Sequence, residues 1–82
     1  MIGPPVVINF SQVKKGMRAR VVSIGSVSAE SKRLQEMGLT EGTEFSVVKV
    51  APFGDPVEIN LRGYHLCLRK HETAHIEIEL LA

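Results

Sequence analysis

The side chains best suited to chemistry lie toward the C-terminus. His65 and Cys67 stand two apart in Tyr64-His65-Leu66-Cys67-Leu68-Arg69, so on a strand they share a face. Imidazole and thiolate together form a soft donor set for a transition metal. A structural zinc site takes four protein ligands, however, and no CxxC spacing supplies the missing two. A surface histidine beside a small packed thiol explains the same pattern and is the commoner arrangement. His71 and His75 flank Glu72 at i and i+4, within a segment too short to announce a helix. They read as solvated histidines able to gather a divalent transition metal adventitiously, and no cofactor is required by any residue pattern.

Catalytic constellations are missing from the sequence. Nothing places a serine on a strand-to-helix elbow. The seven glycines are scattered and form neither GxGxxG nor GxxxxGK[ST]. Glu77 and Glu79 alternate with Ile76, Ile78 and Leu80, which puts both carboxylates on the solvent face of one strand. The expectation is a binding protein and not an enzyme. A net charge of +1 argues against a domain built to hold nucleic acid. The aromatics are Phe10, Phe45, Phe53 and Tyr64, with no tryptophan, which is too few rings for a polyproline groove or a base-stacking platform. Phe53 is the exception of interest. It sits in Ala51-Pro52-Phe53-Gly54-Asp55-Pro56, a loop braced by two prolines. It either stands out as an apolar anchor or folds back to plug the core.

The elements that position these residues are short. With 82 residues the chain suits a single domain over residues 1–82, with Met1 to Pro5 as a loose arm. One cysteine allows no internal disulfide, which fits a reducing compartment. No signal peptide and no run of about 18 apolar residues is present, so no direct membrane insertion is expected. Val6 to Phe10 reads as extended, and Ser11 as the cap of one helical turn closed by Gly16. Arg18 to Ile24 and Thr43 to Val50 read as strands. Their alternation slips at Val21-Val22 and Val47-Val48, which predicts a bulge or burial on both faces. Ser28 to Met37 reads as the one helix, with Ser28 as N-cap, Leu34 and Met37 on a common face, and Gly38 as the stop. Val57 to Leu61 alternates cleanly, Arg62-Gly63 suits a tight hairpin turn, and Tyr64 to Arg69 follows as a strand. Lys70 to Ala74 reads as a turn before the last strand. The sum is a mainly β chain of about five strands and one short α-helix, in a small barrel or sandwich.

The order of these signals carries more information than any one of them. Phe10-Ser-Gln-Val-Lys-Lys-Gly16 precedes a strand; then come Arg33-Leu34, Met37-Gly38-Leu39, Gly42, the Pro52-Phe53-Gly54-Asp55-Pro56 loop, Leu66-Cys67-Leu68-Arg69 and Ala74-His75-Ile76. From Phe10 to about Leu80 the chain resembles the FeoA family, small cytosolic partners of the bacterial ferrous iron transporter FeoB. Val13, Lys15 and the Met1 to Pro5 arm depart from the family pattern conservatively. The resemblance implies an SH3-like barrel. It also implies a cytoplasmic protein, recruited to the inner face of the membrane by binding the cytosolic part of a FeoB-type transporter. The alternative it implies is a metal-linked regulatory domain, like the C-terminal domain of iron- and manganese-responsive repressors. The expected docking surface joins Arg33, Leu34 and Met37 of the helix to Pro52, Phe53, Gly54 and Asp55 of the loop. No family ligand pattern maps onto His65, Cys67, His71 or His75.

Overall fold

The computed structural model describes residues 6–25 and 29–81. Its strands are β1 (Val7–Asn9), β2 (Arg18–Ser23), β3 (Glu44–Val50), β4 (Val57–Leu61), β5 (Tyr64–Leu68) and β6 (Glu77–Leu81). They form one antiparallel six-stranded sheet in the order β1-β6-β2-β3-β4-β5. Two helices, α1 (Ala29–Glu36) and α2 (Lys70–Thr73), and a 3-10 turn (Phe10–Gln12) complete the chain.

The strand count exceeds the expected five by β1. Three residues are too few for alternation to reveal a strand, and β1 exists because β6 lies beside it. Val7, Ile8 and Asn9 pair with Glu79, Ile78 and Glu77, and the Leu80 N–H donates to the Val6 carbonyl at 2.9 Å. The following turn is capped one residue pair earlier than expected. Asn9, not Ser11, is its N-cap: Asn9 Oδ1 accepts from the Ser11 N–H, and Gln12 Oε1 accepts from the Asn9 N–H. The Asn9 amide also donates to the Ala74 carbonyl at 2.9 Å, tying the turn to the entry of β6.

Both alternation slips are register shifts. Pairing with β6 shifts between Val21 and Ser23, and pairing with β4 shifts between Val47 and Lys49. Each bulge returns the next apolar residue to the core face. The core gathers Ala19, Val21, Phe45, Val47, Val57, Ile59, Leu61, Leu68 and Ile78 from the strands. Phe10 joins them from the 3-10 turn, its ring stacked on Phe45 at 5.5 Å.

α1 contributes Leu34 and is followed by an equally buried Leu39. Its end is a Schellman closure: the Gly38 N–H donates to Gln35 O, the Leu39 N–H to Leu34 O, and Gly38 takes a φ of +103°. The helix stops at Glu36, so Met37 lies in that turn and does not share the buried face of Leu34. The proposed Ser28 cap lies outside the described residues. No described helix is long and apolar enough to cross a membrane.

Candidate partner-docking surface

The loop from Ala51 to Pro56 is held at its base and at its side. The Ala51 N–H donates to Pro56 O at 3.1 Å, and the Gly54 N–H to Ala51 O at 2.8 Å. Asp55 is half-buried, and its Oδ1 accepts from the Lys70 N–H at 2.8 Å. That carboxylate sits where the first turn of α2 presents an otherwise unpaired backbone donor. With its flanks fixed, the loop carries Phe53 at 99% exposure, between an exposed Pro52 and an exposed Gly54. Phe53 therefore does not plug the core, and of the two orientations left open by the sequence the outward one is observed.

α2, expected as a turn, links the loop to α1. Its Glu72 is buried, with a side chain only 5% exposed. Glu72 Oε1 accepts from the Arg69 N–H at 2.9 Å, and Oε2 pairs with the Arg33 guanidinium on α1. Arg33 stays 63% exposed in its side chain, so it is anchored at one nitrogen and otherwise open to solvent. Between the two helices lies a shallow cleft of about 450 Å³, lined by Ala29, Arg33, Arg69, His71 and Glu72. Its rim carries two guanidinium groups against one buried carboxylate, so its net character is cationic.

The other expected docking residues separate. Leu34 is fully buried and belongs to the core, which corrects its place on the expected surface: α1 packs this side chain into the hydrophobic core. Met37 is 39% exposed and lies beside Tyr64 and Leu66, with which it lines a groove along β5. Tyr64 was not among the expected residues. Strand alternation assigns it inward with Leu66 and Leu68, yet it is 69% exposed, because β5 is the last strand of the sheet and Tyr64 starts it next to the turn. That exposure follows from sheet order, which no local pattern announces.

The candidate metal ligands do not converge within one chain. His65 and Cys67 are both exposed on β5, and His65 Nδ1 lies 3.6 Å from Glu58 Oε2 on β4. His71 on α2 and His75 before β6 are exposed. Among the described residues no three metal-ligating side chains gather.

A family model described as the FeoA domain matches residues 8–80. A curated Fe(2+) transport protein A/Fe(2+) transporter FeoB fusion protein of Porphyromonas gingivalis is 33% identical over 75 residues, covering 92% of this chain. The chain spans only 9% of the length of that relative. The solution structure of the FeoA protein of Chlorobium tepidum is 37% identical, with a TM-score of 0.81 over 92% of this chain and 71% of that one. FeoA of Stenotrophomonas maltophilia complexed with zinc, described as a procaryotic SH3 domain protein, is 24% identical with a TM-score of 0.74, covering 87% of this chain and 88% of that one. The crystal structure of T. acidophilum IdeR matches 99% of this chain and 37% of its own at 16% identity, with a TM-score of 0.82. These last two likenesses concern the fold alone, which is SH3-like.

Proposed function

The chain belongs to the FeoA family, and from that premise we propose that it is an accessory protein of bacterial ferrous iron uptake that binds the cytosolic part of a FeoB-type transporter. The observation that carries the docking role is Phe53, a large ring at 99% exposure on a loop whose flanks are already hydrogen-bonded. An aromatic anchor held in place before binding loses little conformational freedom on docking. The joining of Fe(2+) transport protein A to FeoB in one polypeptide of a relative supports the choice of partner. Arg33 and the cationic cleft supply a polar rim near the anchor's supporting helix, and Met37 adds apolar surface. On this reading the chain works at the cytoplasmic face of the membrane, as one domain, without catalysing a reaction and without a required cofactor.

The regulatory-domain reading has one observation in its favour, the extent of the fold shared with IdeR. The two readings separate in one binding experiment. The full chain is titrated against the purified transporter in detergent, with and without a GTP analogue, and Phe53→Ala is run alongside. Docking predicts saturable binding that Phe53→Ala weakens roughly tenfold or more, about 1.4 kcal/mol, at an unchanged Tm. Absence of binding by the folded wild-type chain overturns the proposal, and equal affinity of the variant removes Phe53 from the surface.

A further inference from the structure

β5 ends the sheet, and its outer edge is open. It pairs with β4 from Leu61↔Tyr64 to Val57↔Leu68, and among the described residues no other backbone hydrogen bond involves it. The hairpin turn fixes which backbone groups point outward. In a two-residue loop the flanking residues, here Leu61 and Tyr64, form a hydrogen-bonded pair, and such pairs alternate along the ladder. Leu66 and Leu68 therefore spend their N–H and C=O groups on β4. His65 and Cys67 present theirs to the free edge.

We infer that His65 and Cys67 form half of a tetrahedral transition-metal site, completed by the same two residues of a second copy paired antiparallel along β5. The missing half of the ligand set selects the occupant, and the backbone selects the register. Pairing the two edges about Leu66 sets His65 of one copy opposite Cys67 of the other, twice. These are the residues with outward N–H and C=O groups, so both pairs exchange hydrogen bonds. Centring the dyad on His65 or on Cys67 instead moves one ladder contact off the strand, onto Gly63 or Arg69.

In the Leu66 register four donors meet on one face. Two strands contribute a His and a Cys each at i and i+2, about 7 Å apart along the strand, with about 5.5 Å between strands. Imidazole and thiolate side chains reach inward from the corners of that rectangle to a shared centre, with Zn–N near 2.0 Å and Zn–S near 2.3 Å. The ligand count that one chain lacks is met by symmetry. Glu58, opposite Cys67 on β4, has Oε2 3.6 Å from His65 Nδ1. A small rotation lets the carboxylate accept from Nδ1–H, which leaves Nε2 for the metal and holds the ring, as carboxylates do behind ligating histidines. Lys49, next in the same cross-strand row, keeps Glu58 in a mixed-charge setting.

The surrounding charge makes the pairing depend on the metal. Arg62 precedes β5 and Arg69 and Lys70 follow it, and all three are exposed, so antiparallel pairing brings basic residues together at each end of the paired edges. The ends of the paired edges repel, and the metal supplies the attraction between copies. The site lies on the strand face away from the core and goes beyond the transporter-docking reading, on which it does not depend.

The test uses the full chain with a non-thiol reductant and either Zn²⁺ or Co²⁺ alone. Sedimentation velocity and isothermal titration are expected to show a monomer becoming a dimer at one metal per two chains. With Co²⁺ the complex takes the strong visible absorption of a tetrahedral ion and a thiolate-to-cobalt charge-transfer band. Cys67→Ser and His65→Gln each abolish dimerisation and the spectrum. Glu58→Gln weakens metal affinity roughly 10- to 100-fold, and His75→Gln leaves the dimerisation and the spectrum unchanged. Cys67 and His65 are exposed, so these variants are expected to fold, with circular dichroism as the check. One metal per monomer without dimerisation, a dimer that survives Cys67→Ser, an octahedral cobalt spectrum or no binding by the wild type overturns the inference.

Discussion

Removing the Glu72 carboxylate tests how the proposed docking face is held. Glu72 makes two interactions of unequal environment. The hydrogen bond from the Arg69 N–H ends on a side chain that is 5% exposed, at the first turn of α2. Hydrogen bonds to a charged acceptor contribute about 1.5–3 kcal/mol. The Arg33 partner is 63% exposed, so that ion pair is screened and contributes at most about 1 kcal/mol. Glu72→Ala is therefore expected to cost about 2–3 kcal/mol, whereas Arg33→Ala costs about 0.5 kcal/mol. At about 4–8 °C per kcal/mol for a domain of this size, the first lowers Tm by roughly 10–20 °C and the second by a few degrees. Urea denaturation of both singles and the double variant closes a cycle, and its coupling energy is expected below about 1 kcal/mol. If Arg33→Ala costs as much as Glu72→Ala, the ion pair and not the backbone cap secures α2, and the reasoning fails. The distinction matters for function, since only a nearly neutral Arg33→Ala lets an affinity loss be attributed to the docking surface.

Phe10→Ala removes the ring stacked on Phe45 at 1% exposure and is expected to cost about 3–5 kcal/mol by denaturant titration. Gly25 has a φ of +78°, and a Cβ there meets the His75 carbonyl at 2.7 Å; Gly25→Ala is expected to lower Tm by roughly 10 °C or more, since a backbone carbonyl cannot step aside cheaply. Arg62 is the one described non-glycine residue at positive φ, +52°, in the β4–β5 turn; Arg62→Asn is expected to raise stability by about 0.5–1 kcal/mol, seen as a later urea midpoint.

Local patterns carried much of the architecture. The doubled valines at 21–22 and 47–48 marked both bulges, because a sheet face has period two and an extra residue must be absorbed somewhere. Arg62-Gly63 marked the hairpin and Gly38 the helix stop. What escaped was built by contacts distant in sequence. β1 owes its existence to β6, some 70 residues on. Asp55 caps a helix that starts 15 residues later, and Glu72 is buried because α1 and α2 meet. Leu34 and Met37 looked equivalent by helical spacing, and one residue of helix length separated their fates. The Phe53 loop was visible as proline-braced, but whether Phe53 pointed out or in depended on the whole core being filled without it.

The pairing of β1 with β6 also decides how the chain responds to force. Val6 and Leu80 are joined by a hydrogen bond at the same end of that antiparallel pair. A pull applied at both ends of the described chain acts across the ladder and not along it. Its rungs then open one after another, as a zipper does, and each need bear the tension only in turn. The short outer strand would peel away first, and β2, whose Arg18 lies opposite Leu81, would be the next to take the load from the same end. Tethered from both sides, such a unit lengthens by the slack of its first strand before the Phe53 loop is disturbed.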